Sequence, residues 1–93
     1  MERLNKLYRE NGAYALMCIS YLLQIGFDRA RKLTDKEIQR VKENTSPNSI
    51  LSADFNEWIM NEARELAREL SEVDLLKWIQ INKPYDTKGI KKA

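Results

Sequence analysis

Histidine is absent from this 93-residue sequence, and it has a single cysteine, three glycines and two prolines. Without histidine the chain lacks the usual zinc ligand sets and the Ser/His and Cys/His pairs that activate nucleophiles. One cysteine excludes an internal disulfide and fits a reducing compartment. The sequence therefore predicts a protein that is not an enzyme and that uses no cofactor or metal.

Length and composition indicate one small domain. Hydrophobic residues make up 43% of the chain and charged residues 32%, which is the balance of a globular protein rather than a disordered one. A chain this short buries roughly 60 to 65% of the surface that its unfolded form exposes, too little for a multilayer enzyme scaffold. We expect a single helical domain over residues 1–84 and a flexible basic tail over 85–93.

The long stretches between glycines and prolines are rich in good helix formers, which predicts an all-α domain. Thr34 and Glu37 have the spacing of a capping box, and Ser52 and Ser71 are expected N-caps. The first helix is expected to kink at 11–12, since glycine in a helix costs about 1 kcal/mol relative to alanine. Gly26 is expected to be either a helix C-cap or a point where another helix passes close. Periodicity predicts a bundle of about four helices, at about 2–31, 34–43, 53–70 and 72–82.

Apolar residues of the fourth predicted helix fall into two sets. We expect its buried face to contain Val73, Leu76 and Ile79. Leu75, Trp78 and Ile81 are expected to add to it.

No apolar segment or small-residue cleavage pattern follows the charges at the N-terminus, so we expect a cytoplasmic protein without a secretory signal. The longest apolar stretch, Ala13 to Phe27, is interrupted by polar residues and is shorter than the roughly 20 apolar residues of a membrane span. We expect no membrane association.

Cys18 lies in this apolar stretch, where burial makes a thiol inert.

The predicted third helix carries an aromatic residue at the head of an acidic stripe. At about 100° per residue, Trp58 lies outside the apolar face and in line with Glu62, Glu65 and Glu69. An aromatic anchor with a charged rim is typical of an interface hot spot, so these four residues are our candidate partner-binding site. In the alternative interpretation, Trp58 packs under a neighbouring element and the glutamates only solvate the helix.

The chain is basic at both ends and acidic in its centre, since residues 33–82 carry ten acidic and six basic side chains. Three basic clusters are candidates for contact with phosphates or with an acidic partner. A net charge of only +2 and the acidic third helix argue against nucleic-acid binding. The clusters are Arg3, Lys6 and Arg9; Arg29, Arg31 and Lys32; and Lys88, Lys91 and Lys92.

These observations favour a non-catalytic protein-interaction module over a small nucleic-acid-binding regulator that uses the basic ends. The expected partner is another protein or a second copy of the chain. A homodimer is expected because residues 13–25 are apolar on nearly every side and three short helices leave part of them uncovered. Small size without catalytic groups is typical of accessory proteins of phages and mobile elements, including inhibitors or regulators of host enzymes and defence complexes.

Overall fold

The computed structural model describes residues 2–83, which form six α-helices and no strand. This confirms the all-α class, but the predicted number of four helices is wrong. The first predicted helix consists of three helices in the structure. The predicted basic tail, with Lys88, Lys91 and Lys92, lies outside the described residues. The helices are α1 (Glu2–Glu10), α2 (Gly12–Ile25), α3 (Phe27–Arg31), α4 (Asp35–Asn44), α5 (Ala53–Glu69) and α6 (Glu72–Asn82).

Asn11 separates α1 from α2, at the position where a kink was predicted. Its backbone is extended, with φ −158° and ψ 92°, and its side-chain Oδ1 accepts a hydrogen bond of 3.2 Å from the backbone N–H of Tyr14. Asn11 is therefore an N-cap, which ends one helix and begins the next. The break does not require glycine at position 12, because a Cβ added there would meet the Tyr8 ring at an ordinary 3.5 Å.

Gly26 makes the second break, between α2 and α3. Its φ of 90° and ψ of 151° lie in a region that is open almost only to glycine. The apolar pattern continues through the break, because Phe27 and Ala30 are both buried. Gly26 is therefore a helix C-cap, as one of its two interpretations predicted, but the continuous hydrophobic stripe made the predicted first helix run on to residue 31.

The N-caps of the later helices are confirmed. Thr34 and Glu37 form the predicted capping box, and the Ser52 hydroxyl accepts from the backbone N–H of Phe55. Ser71 forms a second capping box, with Asp74, where the sequence predicted a simple N-cap. These side-chain caps fix the N-termini of α4, α5 and α6 close to their predicted positions.

The main core is formed by buried side chains of α1, α2, α3, α5 and α6, and Ile38 of α4 packs with Leu33 and Met60 in a second, smaller cluster. The largest fully buried side chains are Leu4, Ile19, Leu22, Leu66, Leu75 and Cys18.

The buried face of α6 agrees with the prediction only in part. Val73 and Leu76 are 59% and 46% exposed, whereas Leu75 and Trp78 are buried. Trp78 holds α6 in the orientation that buries Leu75 and Trp78 and exposes Val73 and Leu76. Its ring Nε1 donates a 2.7 Å hydrogen bond to Oδ1 of Asn5 on α1.

Over residues 2–83, no helix combines the length and the apolar character that crossing a membrane requires.

Candidate functional site

Trp58 lies half-buried on α5, inside a cluster of three aromatic rings. Its ring stacks on that of Phe55, with centroids 5.7 Å apart and planes 7° from parallel. Tyr14 of α2 lies 5.6 Å from Trp58 and 4.8 Å from Phe55, and is itself 42% exposed. Sequence reasoning missed Tyr14 as a neighbour of Trp58, because a wheel of one helix carries no information about rings on another.

Arg3 of α1 spans two glutamates of the acidic stripe. Its Nε lies 2.9 Å from Oε2 of Glu69, and its Nη1 lies 3.1 Å from Oε1 of Glu62. The hydrogen bond with Glu69, together with the charge of Glu62, raises the pKa of the Arg3 guanidinium above its ordinary value. Two surfaces predicted separately, the basic first helix and the acidic stripe, therefore meet in one ion-pair network.

Glu65 does not join this network. Its Oε2 lies 3.5 Å from Nη1 of Arg68 and 3.9 Å from Nε of Arg64, both on α5. The predicted stripe therefore divides: Glu62 and Glu69 face α1, while Glu65 pairs along its own helix.

Between α1 and α5 runs an open groove of about 550 Å³ with mixed polar and apolar walls. We call it the α1–α5 groove. Four glutamates against one arginine and one lysine give its lining a net negative charge. Among residues 2–83, Glu2, Glu10 and Lys6 have no ion-pair partner, so their charges are available to a bound molecule. The lining consists of Glu2, Arg3, Lys6, Leu7, Glu10, Trp58, Glu62 and Glu69.

The structure brings Trp58, Glu62 and Glu69 together with Arg3 and Lys6. Arg9 lies instead on a smaller groove of about 340 Å³ with Glu2, Asn5 and Lys6.

The second basic cluster lies on and just after α3. Nη1 of Arg31 lies 2.7 Å from Oδ1 of Asp28, and its Nε donates to the backbone carbonyl of Ala67 at 3.3 Å. Arg29 and Lys32 are exposed and pair with no other side chain in the described part of the chain.

Cys18 is fully buried in the core, as its apolar neighbours predicted. Burial, assisted by the negative charge of Glu62, raises the pKa of its thiol to about 12. Because the thiolate is the reactive form, this cysteine is inert in the folded protein. Within residues 2–83, no three side chains of the metal-binding types are grouped closely enough to hold an ion.

Comparison with protein-family models gives no match, and neither do comparisons with the curated proteins and with the solved structures.

Proposed function

We propose that the protein is a non-catalytic module that binds another protein through the α1–α5 groove. The observation that carries this proposal is the half-buried Trp58 at the edge of a groove whose lining includes unpaired charges. Inhibition or regulation of a host enzyme or defence complex, as in the accessory proteins of phages and mobile elements, is the form of binding that the small size of the chain favours.

The energetics of interfaces support Trp58 as the anchor. Tryptophan is enriched among the residues that dominate binding energy, especially where polar groups around it exclude water. Stacking on Phe55 and contact with Tyr14 hold the Trp58 ring in one orientation. A partner therefore meets a ring that has little conformational freedom left to lose, which reduces the entropic cost of binding.

The Arg3 network supports the groove as a preformed surface. Arg3 joins α1 to α5, so the two walls are held together before any partner arrives. Glu2 and Glu10 have no ion-pair partner among residues 2–83, and four glutamates against one arginine and one lysine give the groove a net negative charge. This favours a partner segment that brings lysine or arginine next to an apolar side chain for Trp58.

The alternative function is a small nucleic-acid-binding regulator that uses the basic N-terminal helix and the basic C-terminal tail. The ion pairs weigh against it, because Arg3 and Arg31 already neutralise carboxylates of the same chain. Two of the predicted phosphate contacts are thereby weakened, and each phosphate contact matters to affinity and to its salt dependence.

Affinity capture from native lysate, with and without nuclease, separates the two functions. We expect a defined protein to be recovered after nuclease treatment by the wild-type chain and not by Trp58→Ala. Val73→Ala is the matched control, because Val73 is also a partly exposed apolar residue but lies on α6. Loss of every captured protein on nuclease treatment, or equal capture by Trp58→Ala, would contradict the proposal.

A further inference from the structure

Two long stretches of the chain carry no charged residue, residues 11–27 and 44–53. In a sequence that is 32% charged, such stretches indicate surfaces that are not simply solvated. The first contains α2, and the second contains the connection between α4 and α5. In the structure they border the same groove.

This second groove, of about 460 Å³, lies between α2, α4 and α5, and we call it the α2–α4–α5 groove. Half of its lining comes from α2, so it contains one side of the apolar segment 13–25. No charged side chain lines it, and Met17 and Met60 give it the adaptable surface that methionine provides at binding sites. Its lining consists of Leu16, Met17, Ser20, Tyr21, Gln24, Val41, Leu51, Asn56, Ile59 and Met60.

Ile50 stands beside this groove. It is 99% exposed, the highest value among the large hydrophobic side chains of residues 2–83. The next residue, Leu51, lines the groove itself. A protruding apolar side chain is therefore next in sequence to the lining of a hollow that contains no charged residue.

We propose that the α2–α4–α5 groove binds a second copy of this chain, with Ile50 of each copy inserted into the groove of the other. In a two-fold dimer each protrusion meets the partner's hollow across the axis, so an adjacent protrusion and hollow form a self-complementary pair. The absence of charge favours a copy of the same chain, because two copies meet here without like-charge repulsion. This proposal does not rest on the α1–α5 groove, which lies on other residues.

Sedimentation of the purified protein from low to high micromolar concentration tests the proposal. We expect the mass to rise towards twice the 11.0 kDa of one chain. Ile50→Ser should remain at the mass of one chain. Ile81→Ser is the matched control, since Ile81 is also an exposed isoleucine (78%) but lies on α6, and it should dimerise like the wild type.

Three results would overturn the proposal: a single-chain mass at every concentration, a dimer that Ile50→Ser leaves intact, or equal loss of the dimer in Ile50→Ser and Ile81→Ser. Both residues are exposed, so unfolding is not expected in either variant, and circular dichroism of each checks this.

Mixing two cysteine variants locates the contact. Gln24→Cys places a thiol in the groove lining, and Ile50→Cys places one on the protrusion, while the natural Cys18 is buried. Under mild oxidation we expect a disulfide between Gln24→Cys and Ile50→Cys chains. A dimer in which this cross-link fails while Ile81→Cys links to Gln24→Cys would place the interface elsewhere and overturn the proposal.

Discussion

Arg3 and Glu62 are separated by 59 positions in the sequence, and Nη1 of Arg3 lies 3.1 Å from Oε1 of Glu62. This contact joins the first helix to the longest one and closes one side of the α1–α5 groove. Arg3 and Glu62, which we predicted as members of two separate surfaces, are instead partners within one surface.

Replacing Arg3 by glutamine should lower the free energy of unfolding by about 0.5 to 1 kcal/mol. The effect is small because the Arg3 side chain is 37% exposed and solvent screens its charge. Chemical denaturation of Arg3→Gln, Glu62→Gln and the double variant measures the coupling between the two side chains. We expect molar salt to reduce that coupling. Lys6→Gln is the control, and an equal loss of stability there would show that general charge, not this ion pair, is responsible.

Gly26→Ala should destabilise the protein by about 1 to 3 kcal/mol, because φ at this residue is 90° and a side chain is strained there. This loss of stability comes from the backbone conformation and not from a steric clash, since an added Cβ would meet no atom within 4 Å. Gly12→Ala is the paired control: it lies in a helix and should stabilise by about 0.5 kcal/mol. If thermal unfolding shows equal effects for both variants, the break at Gly26 is not held by its backbone conformation.

Cys18 should not react with thiol reagents in the native protein at pH 8. Burial raises the pKa of this thiol to about 12, so almost none of it is thiolate at that pH. Absorbance with an aromatic disulfide reagent should show no reaction until denaturant is added, and then one thiol per chain. Rapid labelling without denaturant would contradict the buried position of α2.

Asp74 should make stability depend on acid pH. Its pKa is lowered below its ordinary value of 3.8, first by the backbone N–H of Ser71 and then by the Ser71 hydroxyl. A lowered pKa in the folded state means that the stabilisation is fully present above pH 3.8 and is lost as the pH falls through the folded-state pKa. Melting midpoints of the wild type and Asp74→Asn should therefore differ at neutral pH and converge at low pH. A constant difference across this range would contradict the capping box as its cause.

Local signals predicted much of the fold. The N-caps at Thr34, Ser52 and Ser71 need only side chains close in sequence, so the starts of three helices could be predicted. At Gly26 the sequence left a helix C-cap as one of two interpretations, but the separate helix that follows could not be predicted, because buried Phe27 and Ala30 continue the apolar pattern. The rotation of α6 about its axis also could not be predicted, since both of its faces are apolar. Which face is buried depends on the hydrogen bond of Trp78 with Asn5, which is far away in the sequence.

The candidate site, too, was predictable only where it depends on residues close together in the sequence. A helical wheel predicts that Trp58, Glu62, Glu65 and Glu69 lie on one side of α5, because their relative positions depend on one helix alone. The wheel carries no information about Arg3, which lies on another helix and forms ion pairs with Glu62 and Glu69. The lining of the α1–α5 groove therefore depends on tertiary packing that periodicity does not contain.

The unfolding of Trp58→Ala beside Trp78→Ala measures whether Trp58 contributes more to binding than to folding. Trp78 is buried and hydrogen-bonded, so its truncation should cost about 3 to 5 kcal/mol, whereas Trp58 is only half-buried. We expect Trp58→Ala to remain folded, with a melting midpoint lowered by only a few degrees, and to lose the captured protein in the same preparation. Collapse of Trp58→Ala while Trp78→Ala remains stable would contradict the account.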